Sequence, residues 1–458
     1  MPRSTQSART ASAPVLCLTA LLLGSAAQAN DLIFTPGEGP FSWDAYEAFA
    51  AAHDYSGQAL RIGGASTGED KTKLDNMIAY FNAATGANAV LSGSESFEQD
   101  IVIGFQANSA PDIAMFPQPG LARDMAAAGN LAALPEGTAE WYRDTFAAGQ
   151  SWADLASFNG PDGTEAVYGI FFGVDVKSLV WYVPENFEEN GYDVPQSMEE
   201  LKALTETIAD DGLTPWCIGF ASGAATGWPG TDWIEDLMLR LHPVEVYDDW
   251  VSNDMPFDDP RVIEAFEAFG WFALNDAFVA GGPSGVASTD FRDSPNGLFN
   301  FPPDCLMHKQ ASFIPTFFNA GISVGEDVDF FYFPAYESRD LGTPIMGSGG
   351  LVSATNERDV SMGFLEFLKT PFAHEVAIAQ AQFLTAHLGA NPDAYASGSQ
   401  RALGEILTDA TTFRFDGSDL MPGEIGTSAF WTGMVDFVTG TPAETVTRNI
   451  QSRWSQIR

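Results

Sequence analysis

Short aromatic segments set beside turn residues are the part of this sequence best equipped to handle a ligand. They are Phe116, Phe171-Phe172, Trp228 with Trp233, Phe317-Phe318 and Phe430-Trp431. An aromatic face packs against the flat C–H face of a sugar ring, while carboxylates, amides and backbone groups take its hydroxyls. A lone ring fills a core more often than it lines a cleft. With 35 Phe, 11 Trp and 11 Tyr in the chain, most rings must do the former.

Catalytic patterns are missing. No Gly-x-Gly-x-x-Gly and no Walker loop occurs, and Gly347-Ser348-Gly349-Gly350 lacks the Lys-Ser/Thr of a phosphate loop. Gly321-Ile-Ser-Val-Gly325 matches a nucleophile elbow in letters. An acidic pair and then a strand follow it where a helix is required, so it reads as a chance match. The histidines (His53, His242, His308, His374 and His387) are scattered, with no metal-binding spacing. The acidic group Asp248, Asp249, Asp254, Asp258 and Asp259 lacks the spacing and glycine of a calcium loop. The sequence thus predicts no catalytic residue, metal or cofactor. A carboxylate pair for glycoside hydrolysis stays open, because 61 acidic residues make chance pairs inevitable.

The elements that must position these rings alternate between strand and helix. Residues 59–66 read as a strand running into a glycine turn, and 69–81 as a helix with Leu74, Met77, Ile78 and Phe81 on one face. Residues 87–91 read as a second strand, 111–116 as a third closed by Pro117 and Pro119, and 121–127 as a helix. A second region opens with a long extended stretch, 168–183. Helices follow at 198–209, 232–241 and 261–274, then strands at 330–334 and 345–353 and a helix at 357–369. The last third reads as mostly helical, with a break at 413–422. Repeated β-α units of this length predict an α/β fold with parallel strands.

Length and charge bound the rest. A chain of 458 residues holds two or three domains. A net charge of -40 repels nucleic acid and anionic membranes, which excludes nucleic acid as a partner. Arg3 and Arg9 precede an apolar run, Val15–Ala27, that ends in Ala27-Gln28-Ala29. That is the layout of a signal peptide over 1–29, cleaved near Ala29 for export to the periplasm. The run is too short for the roughly 20 residues of a membrane span. It also continues past Cys17, whereas a lipid-anchored cysteine closes its run. Removing Cys17 leaves Cys217 and Cys305, which read either as one disulfide of an oxidising compartment or as two buried thiols.

Four segments carry a family resemblance. They are Asp112–Gly120, Asp175–Phe187, Trp216–Trp233, and Ser428-Ala-Phe-Trp431 preceded by Met421-Pro422. The chain resembles family 1 extracellular solute-binding proteins of ABC importers, most closely periplasmic alpha-glucoside binders and more distantly maltose binders, across 31–458. The resemblance implies a two-lobed type II periplasmic binding fold, with a ligand cleft between lobes joined by three crossovers. Lobe 1 would hold 30–168 and 345–372, and lobe 2 would hold 172–342 and 375–458. It implies Phe116, Phe318 and Trp431 as stacking rings and Asp175 as a hydroxyl acceptor. Gln118, Trp228 and Asp232 join them, with Ser348, Gly349 and Gly350 bringing backbone near the ligand. It also suits a Cys217–Cys305 disulfide within lobe 2. The implied role is a monomer that binds an alpha-glucoside such as sucrose, trehalose or maltose and delivers it to inner-membrane permease subunits. Phe stands where maltose binders stack two tryptophans, and Gly223–Thr226 replaces their acidic and tyrosine contacts, so a different or shorter glucoside fits the pattern. Another oligosaccharide, a polyol or a secreted glycoside hydrolase are the alternatives.

Overall fold

The computed structural model describes residues 32–457, except 148, 382 and 410–412. The expected signal peptide, residues 1–29, lies outside the described residues.

The elements that place the site are, in order, β1 (Ala59–Gly64), α1 (Gly68–Thr85), β2 (Asn88–Gly93), α2 (Phe97–Gln106), β3 (Ile113–Phe116) and α3 (Pro119–Ala127), then β4 (Ile170–Val176), β5 (Leu179–Tyr182) and α4 (Trp228–Leu241). After them come β6 (Met307–Lys309), β7 (Asp329–Tyr332), β8 (Ile345–Ala354), α5 (Pro371–Ile378), β9 (Phe413–Phe415) and α6 (Trp431–Val438). Local chemistry accounts for their limits. In α1 the residues Leu74, Met77, Ile78 and Phe81 are buried along one face, as their spacing predicts. Gly86 ends the helix in the left-handed region, with its N–H donating to the Asn82 carbonyl at 2.9 Å.

Two sheets result. In the first, β1 lies parallel to both β2 and β3, which the intervening helices require. β8 runs antiparallel to β3 on one edge and to β4 on the other, and its first residues pair in parallel with β9. In the second sheet β5 lies between β6 and β7, antiparallel to both. Two apolar cores form. The first gathers Ile62, Phe81, Phe171, Phe364 and Phe372. The second gathers Trp216, Trp233, Phe266, Phe269 and Phe430 around α4. The first also takes in Leu179 and Trp181 of β5, and the second Met346 of β8. Every residue from Pro229 to Leu241 is buried, so α4 is an interior helix. Cys217 and Cys305 form the disulfide, Cα atoms 5.5 Å apart. The Cys217 N–H donates to Met307 on β6, which places the link beside the second sheet.

The chain passes between the two larger sheets at points that the sheets and cores locate. The extended run 168–183 is two strands in different sheets, and Lys177 and Ser178 carry the chain between them. The first passage between the sheets, the first crossover, is thus at 177–178. In the last third, Val376, Leu384, Ala386, Leu403 and Phe415 are buried in the first core, and the chain enters the second core at Met421. Helical periodicity says which face is covered and not by which sheet, so it does not mark the course of the chain after α5.

Candidate functional site

A cavity of about 240 Å³ lies where the crossovers meet, walled by both halves of the molecule. The first half supplies Glu98 from α2, Met115 from β3, Gln118, and Phe172 and Asp175 from β4. The second supplies Trp228, Thr231 and Asp232 from the start of α4, and Trp431 from the start of α6. Phe291, Phe313 and Phe317 close one side, and the third crossover adds Asp416, Ser418 and Asp419. Of the residues expected from sequence, Gln118, Asp175, Trp228, Asp232, Ser348, Gly349, Gly350 and Trp431 all line it.

Phe116 and Phe318 do not. Phe116 is fully buried and packs edge-on against Phe97, ring centres 5.6 Å apart. Successive strand side chains point to opposite faces, so Met115 turns to the cavity and Phe116 to the core. Phe318 packs against Trp181 and Phe299, at 5.7 and 5.1 Å, while its neighbour Phe317 faces the cavity. In each case it is the preceding residue, Met115 or Phe317, that lines the cavity. The missed wall residues Phe172 and Phe317 sat in aromatic pairs whose facing member only the strand and turn geometry selects.

Glycine sets the distance between the two tryptophans. Gly227 has φ +114°, which a side chain rarely adopts, and a Cβ there would meet the Trp431 carbonyl oxygen at 2.2 Å. The close approach starts α4 directly against α6 and brings Trp228 and Trp431 to one cavity. Trp228 is held edge-on by Phe291, ring centres 4.9 Å apart. On β8, the bulge between Gly349 and Gly350 leaves the backbone bare at the opposite wall.

The base of the cavity is a buried charge cluster that sequence reasoning passed over, apart from Asp232. Lys177 at the first crossover bonds Asp232 on α4 at 2.9 Å and also Asp416 at the third crossover. Ser178 donates to Asp236 on α4 at 2.8 Å and accepts from the Met346 N–H at 2.9 Å, which ties in the second crossover. Glu235 receives the backbone N–H groups of Gly417 and Ser418 at 3.1 and 3.0 Å. All three crossovers are thereby fastened to one helix. The signal in the sequence was Lys177 itself, a charge inside an apolar run. Asp232, Glu235 and Asp416 converge closely enough to hold a cation. The Lys177 ammonium already provides one between two of them.

Burial governs the protonation of the cluster. It raises the Asp232 carboxyl to about 7 against the pull of Lys177, with Asp416 raising it further. It raises Asp175 to about 7 as well, against the Ser312 hydroxyl, which donates at 3.0 Å. Burial also works on Asp416, but Lys177 outweighs it and holds that group near 2. Three buried polar atoms of the cavity wall have no protein partner: Gln118 Oε1, Asp232 Oδ2 and Trp431 Nε1. An unpaired buried polar atom costs about 1–3 kcal/mol. These are two acceptors and one donor set between the aromatic walls.

Two α/β halves with a cavity where the chain crosses between them give the architecture of a two-lobed periplasmic binding protein. The comparisons with known proteins agree. The chain is 56% identical over 446 residues to the alpha-glucosides-binding periplasmic protein AglE of Rhizobium meliloti, covering 96% of this chain and 97% of that protein. It is 39% identical over 406 residues to the osmoprotective compounds-binding protein GgtB of Synechocystis, covering 88% and 93%. No protein-family model matches the chain. Among solved structures, the solute receptor AcbH superposes with a TM-score of 0.73 at 18% identity, covering 87% of this chain and 98% of that one. Maltose-bound MalE3 of T. maritima gives 0.65 at 14% identity, covering 87% and 99%. The chain belongs to the family of periplasmic solute-binding proteins of ABC transporters that includes AglE.

Proposed function

We propose that the chain is the periplasmic binding component of an ABC sugar importer and that it binds a short alpha-glucoside in the cavity. The observation that supports this reading best is the set of unpaired atoms, Gln118 Oε1, Asp232 Oδ2 and Trp431 Nε1, set between aromatic rings. Sugar hydroxyls both donate and accept, so one ring satisfies all three while its C–H face packs on Trp228 or Trp431. The choice of glucoside follows AglE, whose name gives its ligand class. The volume, about 240 Å³, lies at the small end for ligand pockets, which favours one or two sugar units over a maltodextrin. Asp175, Asp232, Trp228 and Trp431 are the proposed principal contacts, with Ser348–Gly350 offering backbone groups. The lobes then divide at the three crossovers, and closure about Lys177–Ser178 presents a surface to the permease. In this reading the protein is exported, its leader removed near Ala29, and it does no chemistry. Titration calorimetry with sucrose, trehalose, maltose and maltotriose tests it. At least one disaccharide should bind one-to-one with a micromolar or lower Kd; no binding across the panel would sink the glucoside reading.

A further inference from the structure

We propose that the corner of the cavity built by Glu98, Gln118 and Asp419 recognises an ammonium group, so that the receptor takes amino-deoxy glucosides in preference to their neutral parents. The inference rests on the glucoside reading above and deepens it. Glu98 comes from α2, Gln118 is the residue before α3, and Asp419 follows β9 at the third crossover. All three line the cavity. Gln118 is 5% exposed. Its Nε2 donates to Glu98 Oε1 at 3.1 Å, and its Oε1 has no partner. The corner therefore offers an unpaired amide oxygen and two carboxyl groups, the latter acceptors only when ionised.

Among the described residues no lysine, arginine or histidine forms an ion pair with the corner's carboxyls, Glu98 and Asp419, although Lys177 lies near enough to Asp419 to act on it. Lys177 is engaged by Asp232 and Asp416, and Arg292 by Glu95 and Asp290, each at 3.2 Å. The charged groups facing the corner are Asp100 beside Glu98, and Asp416, Asp232 and Lys177 beside Asp419. Burial raises both carboxyls, and the charge of Asp416 and then of Glu98 raises Asp419 further. A neutral hydroxyl brings one donor and no charge to such a corner. A primary ammonium brings three donors and a positive charge, and lets the carboxyls ionise. The ammonium is nearly isosteric with a hydroxyl, so the same ring pose accepts it.

The test is calorimetry at pH 7 with trehalose, sucrose and maltose, each against its monoamino-deoxy isomers, in two buffers of different ionisation enthalpy. At least one isomer should bind tenfold or more tightly than its parent, with release of a proton that the parent does not cause. Glu98→Gln and Asp419→Asn should each cut that preference at least threefold. The proposal is overturned if no isomer gains over its parent, or if the gain survives in both variants. If an amino sugar binds through this corner and no neutral parent binds at all, the ammonium site stands and the neutral-glucoside reading falls.

Discussion

Lys177→Met isolates the charge cluster that joins the crossovers. The Lys177 side chain is 6% exposed, and its partners Asp232 and Asp416 are 6% and 1% exposed. Removing the ammonium leaves two buried carboxyls facing each other with no cation between them. Breaking a buried pair from one side costs about 3–5 kcal/mol. The loss depends on pH in a direction that can be worked out. In the wild type Asp416 is held near 2, below its unfolded value, so it adds stability above about pH 4 that is lost as pH falls towards 2. In the variant the buried carboxyls titrate above their unfolded values, so the folded chain binds more protons and stability falls as pH rises. The deficit should therefore be larger at pH 8 than at pH 5. Urea unfolding followed by circular dichroism at both pH values measures it. Adding Asp232→Asn and Asp416→Asn to Lys177→Met should recover at least half of the loss at pH 8. A deficit below about 1 kcal/mol, or one equal at the two pH values, would refute the electrostatic reasoning.

Three further outcomes are expected. Trp431→Ala should weaken glucoside binding more than tenfold by calorimetry, while Phe318→Leu, on the core side of its turn, should change it less than threefold. Asp175 is raised to about 7 when folded, so it lowers stability as pH rises from about 4 to 7. Asp175→Asn should flatten that part of the unfolding curve by up to about 1.4 kcal/mol per pH unit, and an unchanged slope would count against its burial in the ligand-free state. Gly227→Ala meets both a left-handed backbone and the Trp431 carbonyl. It should cost about 2 kcal/mol or more and weaken binding by displacing Trp431 from Trp228, a result checked by urea unfolding and calorimetry.

The parts of this molecule readable in the sequence are those with local causes. Leu74, Met77, Ile78 and Phe81 announce a helix face, and the helix expected at 232–241 is present, starting four residues earlier at Trp228. Recognition by family motif placed Asp175, Asp232 and Trp431 at the same cavity from three distant stretches. Where expectation and structure part, the cause is nonlocal. Phe116 and Phe318 face the core because strand alternation and a short turn decide which of two neighbours faces the cavity. The course of the chain after α5 was not legible because helical periodicity does not say which sheet covers the apolar face. Glu98, Asp416 and Asp419 were invisible because nothing near them in sequence marks a carboxylate that folding will carry into a cavity. Lys177 alone gave a hint, as a cation in an apolar run.

A co-crystal structure of the mature chain with its tightest-binding disaccharide tests the central claim most directly. The account predicts one sugar in the cavity, with a ring packed on Trp431 or Trp228 and hydroxyls within hydrogen-bond distance of Asp232 Oδ2 and Gln118 Oε1. Density for the sugar elsewhere on the protein, with those two oxygens still unpaired, would contradict it.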